Sequence, residues 1–148
     1  MKKHFFFIAT LFLLLCACGP GVTEMPIEPD FLVHPEEYRF GHETSLRDTQ
    51  AWTTVFDEAK LVYPGDIRVE MREISAETDW AELETHYETV LLAEAGWEKE
   101  TRFTDLWNQA QITAFRNGDN FIAIVGLKPE YEEGGWLPVK IITNIPES

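Results

Sequence analysis

"IRVEMREI" at residues 67–74 runs into "SAETDWAELETHYETVLLAEAGW" at residues 75–97, and the change of period between the two stretches decides the fold. In the first, Ile67, Val69 and Met71 alternate with Arg68, Glu70 and Arg72. That is the period of a strand with one apolar and one wet face, which an antiparallel sheet allows. In the second, Trp80, Leu83, Tyr87, Val90 and Leu91 recur at i, i+3, i+7, i+10 and i+11, one stripe of a helix. Thr78 or Asp79 is placed to cap its start, and Glu82 follows Asp79 at the spacing of a capping box. Gly96 reads as the stop, because glycine accepts the positive φ that follows a last helical turn. Trp97 would then fold back on Leu92.

Working outward, "WEKETRFTDL" (97–106), "WNQAQITAFR" (107–116), "NFIAIVGL" (120–127) and "WLPVKIITNI" (136–145) read as strands. Asn117-Gly118 between the second and third is a strong hairpin signal. In the last, Leu137, Val139, Ile141 and Ile145 share one face, with Lys140 and Asn144 opposite. "KPEYEEGG" (128–135) is a loop. Before the first strand, "YPGD" (63–66) is a turn. Residues 44–60 carry Trp52, Val55, Phe56 and Ala59 at helical spacing, with Ser45 and Asp48 resembling a helix start, although "AWTTVF" is rich in β-formers. The expectation is an α+β fold, with one main helix packed on an antiparallel sheet of about four to five strands in β-α-β-β-β order. An extra N-terminal helix over 44–60 would precede it. The second sheet face is either open or covered by that segment.

The start of the chain is a different kind of sequence. Residues 1–18, "MKKHFFFIATLFLLLCAC", place Lys2 and Lys3 before an apolar run from Phe5 to Leu15. That run is short for a membrane span, which needs about 20 residues, and has the length of a secretory h-region. Leu15-Cys16-Ala17-Cys18 resembles the lipobox of bacterial lipoproteins, with an aliphatic residue at −3, a small one at −1 and cysteine at +1. Cys16 does not fit, because Leu15 would stand at its −1 position. The resemblance implies cleavage before Cys18, a diacylglyceryl thioether on Cys18, and a membrane partner reached through that lipid. With Gly19 rather than Asp after it, the resemblance implies the outer membrane facing the periplasm in a Gram-negative cell, and otherwise the outer face of the cell membrane. The two cysteines are one residue apart, which suits neither a Cys-x-x-Cys redox pair nor a metal cluster.

This reading divides the chain into a signal peptide (1–17), a lipidated cysteine and Pro-rich tether (18–36) and one α+β domain (37–148). The tether carries Pro20, Pro26, Pro29 and Pro35 and, extended, would reach roughly 50 Å. The segment from "VYPGD" through the helix to "GW" and the strands beyond, residues 61–145, resembles a recurring type of small bacterial lipoprotein domain. That resemblance implies a fold and transfers no catalytic residue.

Charge narrows the partners. The chain has 12 Lys and Arg against 26 Asp and Glu. Loss of Lys2 and Lys3 with the signal leaves 10 against 26, a formal charge of −16. Such a surface repels nucleic acid, which needs clustered cations, and anionic headgroups within about 8–10 Å.

Candidate sites are few. His86 on the helix, with Glu82 one turn earlier, is a pair capable of acid–base work, although this arrangement is commoner as a surface pair. Glu130, Glu132 and Glu133 lack the regular oxygen series of a calcium loop. No zinc spacing, phosphate loop or nucleophile elbow is present in the sequence, so neither a cofactor nor a catalytic set is expected. Of the five tryptophans, Trp97, Trp107 and Trp136 stand at predicted strand beginnings and are candidates for a ligand or partner surface, against the alternative that they are core. The expected function is a lipid-anchored, non-enzymatic domain binding an envelope protein or a small ligand. The alternatives are a hydrolase-like envelope enzyme using His86 with nearby carboxylates, and a carrier of an apolar ligand held under the helix.

Overall fold

A computed structural model describes residues 24–94 and 96–146 of the protein. The stretch read as a signal peptide, Cys18 and the first part of the expected tether lie outside the described residues. The elements are α1 (His42–Val62), β1 (Arg68–Ser75), α2 (Trp80–Leu91), β2 (Glu98–Lys99), β3 (Ala110–Asn117), β4 (Asn120–Leu127), a 3-10 turn at Pro129–Tyr131, and β5 (Trp136–Thr143). The five strands form one antiparallel sheet in the order β1-β5-β4-β3-β2. The α+β fold expected from the sequence is present, with a second helix in front of it.

The two helices lie on opposite faces of the sheet. Along β4, the ring of Trp80 from α2 lies against Gly126, whereas Tyr63, at the end of α1, stacks on Phe121 at 4.4 Å between ring centroids. Even and odd residues of β4 therefore face different helices, as strand alternation requires. Register carries this across the sheet. Ile124 opposes Ile141 on the α2 side, and Val125 opposes Lys140 on the α1 side. Both faces of β4 and β5 are buried. This explains why "FIAIV" reads as a continuous apolar run rather than an alternating one.

α1 buries Asp48, Ala51, Val55 and Ala59, a stripe at i, i+3, i+7 and i+11. It opens at His42, three residues before the Ser45 start suggested by the sequence. Its N-cap is Gly41, which has no side chain to accept from the first turn; the Glu133 carboxylate from the β4–β5 loop accepts from the Gly41 N–H, at 2.9 and 3.0 Å. α2 buries Leu83, Tyr87 and Leu91 and is capped by the Asp79 carboxylate, which accepts from Ala81 N–H at 3.0 Å. It ends at Leu91, not at Gly96. Gly96 takes φ +92° in the turn that follows, where a side chain would meet Asn117. Trp97 then turns into the core while Leu92 stays exposed, so the two do not form the expected cap contact.

Three further expectations change. The strand predicted over 97–106 contracts to β2, two residues long. Phe103 is fully buried, and the chain reaches that position through turns at Thr101–Thr104 and Phe103–Leu106. The face of β1 expected to be wet is on the α2 side, where Arg72 is only 7% exposed, while Met71 is 43% exposed. The reason is the third change. The chain expected to be a tether up to residue 36 is docked over much of that length. Met25 and Phe31 pack against the core, Leu32 is buried, and Val33 exchanges two 2.8 Å backbone hydrogen bonds with Glu73. Residues 25–33 form a strap over one end of β1.

Candidate functional site

The strap is held by charge. Arg72 donates from Nε to Glu28 Oε2 at 2.7 Å and from Nη2 to Glu28 Oε1 at 2.6 Å, the two-pronged geometry that guanidinium and carboxylate share. Nη2 also reaches Glu70 Oε2 at 2.6 Å, and Nη1 donates to the Met71 carbonyl at 2.8 Å. Arg68 Nε donates to the other oxygen of Glu70 at 2.8 Å. β1 supplies Arg68, Glu70 and Arg72 from one face because they alternate, and the strap supplies Glu28. Burial pushes the Glu70 carboxyl up, but the hydrogen bonds from Arg68 and Arg72 outweigh it and hold it below its ordinary value. Burial likewise disfavours the Arg72 cation, and the two carboxylates more than restore it. Tyr87, from α2, buries its hydroxyl beside this cluster without a hydrogen-bond partner. Burial, with Glu28 next, raises its pKa well above the ordinary phenol value and keeps it neutral.

Two histidines attend the strap. His34 Nε2 lies 3.2 Å from Glu28 Oε2. His86 Nε2 lies 2.7 Å from the carbonyl oxygen of Ile27, and its ring meets Tyr87 edge to face. The residue singled out as a possible acid–base group is thus engaged in fastening the strap to α2. Chemically the cluster is an ion-pair latch, in which the Arg72 guanidinium spends four of its five N–H donors on Glu28, Glu70 and one backbone carbonyl.

The tryptophans do not form the exposed platform considered above. Trp97 is buried in the core, and Trp107 and Trp136 are partly buried against it. Register separates them too. Trp97 precedes Glu98, which pairs with Arg116 near the hairpin end of β3. Trp107 and Trp136 lead into the opposite end, where Ala110 pairs with Leu127 and β5 begins. Trp136 carries the Arg39 guanidinium over its ring at 5.0 Å. Arg39 in turn pairs with the buried carboxylate of Glu73, so this ring is enclosed by the chain's own cation.

A cleft of about 220 Å³ lies beside β3, lined by Glu84, Lys99, Glu100, Thr104, Ile112 and Thr113 among others. Lys99 pairs with Glu88 and, at 3.0 Å, with Glu84; these contacts raise its pKa, Glu88 most strongly. Glu100 binds the Tyr63 hydroxyl and, at 2.9 Å, the Arg102 N–H. Burial pushes its carboxyl up, but those hydrogen bonds prevail and lower it. Among the described residues no group of three or more His, Cys, Asp and Glu is placed to hold a metal ion, and no helix is long and apolar enough to cross a membrane.

No protein-family model, curated protein or solved structure matches the chain. The reading of its function therefore rests on its own residues. Nothing in the sequence marks Glu28, the residue that closes the latch, because it sits in a Pro-rich stretch without periodicity. The one available signal is on a single strand face, where Arg68 and Arg72 flank Glu70, two cations to one anion.

Proposed function

We propose that the protein is a lipid-anchored domain of the bacterial envelope that acts by binding, through its folded surface, an envelope protein or a small ligand, without catalysing a reaction. The observation that carries this reading is the spacing between the lipobox and the strap. Only residues 19–24 separate Cys18 from Met25, which packs against the core. At the reach of an extended chain these seven steps span at most about 25 Å. A strap docked so close to the attachment point would hold the domain at the membrane surface, half as far out as a free Pro-rich tether would allow. A diacylglyceryl group supplies two chains, the number that stable attachment requires.

Crosslinking the full-length protein in its own membrane, with Cys18→Ala as the control, tests both halves of the proposal. Cys18→Ala is expected to leave the membrane fraction and to lose one dominant crosslinked partner. Retention of the variant on the membrane would refute lipid anchoring, and the absence of any partner or co-purifying ligand in the wild-type sample would refute the binding role.

A further inference from the structure

β1 lies at the edge of the sheet, and among the described residues its outer side carries one isolated backbone bridge, Val33–Glu73. Along a strand, successive residues turn their backbone N–H and C=O groups to alternate sides. Glu73 turns outward to Val33, so Met71 and Val69 turn outward as well, and Ile67 would follow where pairing extends the strand by one residue. The strap does not continue the ladder toward them. Two residues after Val33 comes Pro35, which has no N–H to offer Met71.

We propose that this open stretch pairs with the same stretch of a second copy of the chain, antiparallel, with Val69 opposite Val69. The charge pattern selects that partner and that register. Arg68 of each copy then faces Glu70 of the other, and Asp66 faces Arg72, at both ends of the pairing. On the opposite face Ile67 meets Met71 of the second copy, covering a side chain that is 43% exposed. Centring the pair on residue 70 would set Arg68 against Arg72 and Glu70 against Glu70. Centring it on residue 68 would set Arg68 against Arg68 and Asp66 against Glu70. Centring it on residue 71 would require Glu73, whose outward groups Val33 already holds. Charges on an edge strand usually discourage pairing; here they discourage the neighbouring registers and favour one. The Met71 carbonyl, which accepts from Arg72, retains a second lone pair for the new ladder.

The two-fold axis of such a pair is perpendicular to the sheet, so both copies keep α2 on the same side. Ile27 and Glu28 also lie on that side. Both N-terminal segments therefore emerge from one face of a joined ten-stranded sheet. This agrees with attachment to a single membrane, although the pairing does not depend on it.

The test is disulfide trapping in the full-length chain, in membranes, with wild type alongside to measure any crosslink through Cys16 or Cys18. Across a hydrogen-bonded pair the Cα atoms lie about 5.5 Å apart, within disulfide reach. Val69→Cys is therefore expected to give a covalent dimer well above wild type. Met71→Cys is expected to give none, because the two copies of residue 71 would be about 14 Å apart. Ile67→Cys with Met71→Cys in the same chain is expected to restore the crosslink, and this pair decides the matter if Val69→Cys does not fold. Crosslinking of protease-resistant Val69→Cys no greater than wild type, or equal crosslinking by Met71→Cys, would overturn the pairing. A trapped dimer recovered in the soluble fraction would refute the lipid anchor and leave the pairing intact.

Discussion

Gly126 has no side chain because Trp80 occupies the space a side chain would need. A Cβ built there would stand 2.6 Å from the indole of Trp80 and 3.4 Å from Val139. Gly126→Ala is expected to cost about 1–3 kcal/mol through this overpacking, read as a lower urea midpoint, and Trp80→Leu in the same background should recover part of the loss. Lys140 is the other single residue on which much rests. It is buried on β5 with its ammonium against the Asp48 carboxylate of α1, and the Tyr38 hydroxyl donates to the same oxygen at 3.0 Å. Lys140→Ala would strand Asp48 in the core, a loss of about 3–5 kcal/mol. Replacing both members, Lys140→Met with Asp48→Leu, should recover most of it in the same denaturation series. In the sequence Lys140 stands opposite the apolar face of the last strand, with nothing to show that this side is covered. Its partner lies 92 positions earlier, in a helix whose apolar spacing marks Val55 and Ala59 but not Asp48 as inward-facing.

At the scale of elements, legibility follows the range of the signal. α2 and the β3–β4 hairpin announce themselves within a few residues, through Asp79 and the apolar stripe in one case and "NGD" in the other. Even there the turn is displaced. Gly118-Asp119 are its central residues, with Gly118 at φ +59° and no positive-φ residue that is not glycine, as in a II′ turn. The start of α1 is not legible, because its N-cap Gly41 carries no capping side chain and is held through its N–H by Glu133 from the far end of the chain. The strap was not legible either, because its latch joins Glu28 to Arg72 across 44 positions. The latch should behave as a unit. Glu28→Ala is expected to raise amide hydrogen exchange at residues 27–33 while leaving β4 protected, since the Val33–Glu73 bridge, the His86–Ile27 contact and apolar packing would then hold that end without the ion pair. Unchanged protection at Val33 would mean that apolar packing of Phe31 and Leu32, not the ion pair, fastens the strap.

For the molecule as a whole, the carboxylates and phenols set two limits on pH. Glu70 and Glu100 are held below their ordinary value of 4.5. The stability they contribute is present above that value and is lost as pH falls through their lower folded values. Burial raises Tyr38, Tyr63 and Tyr87 above 10.0. Their contribution is present below 10.0 and is lost as pH rises toward their folded values. The melting temperature should therefore be level across neutral pH and fall on both sides. Tyr63→Phe should flatten the alkaline limb and, by removing a hydrogen bond that lowers Glu100, part of the acid limb, whereas Glu70→Gln should flatten the acid limb and leave the Tyr63 part of the alkaline limb in place. A melting profile whose alkaline limb is unchanged in Tyr63→Phe would remove Tyr63 from this account.

The strand order has a consequence for how the chain is made. β1 pairs only with β5 inside the sheet, and the ribosome reaches Trp136 sixty-one residues after Ser75. At elongation rates of about 5–20 residues per second β1 waits roughly 3–12 s for its neighbour. During that interval its alternating sequence is a nascent strand with both edges open, among other growing chains with the same sequence. Its arginines and glutamates then have a second task, keeping the unfinished chain soluble until its last strand arrives.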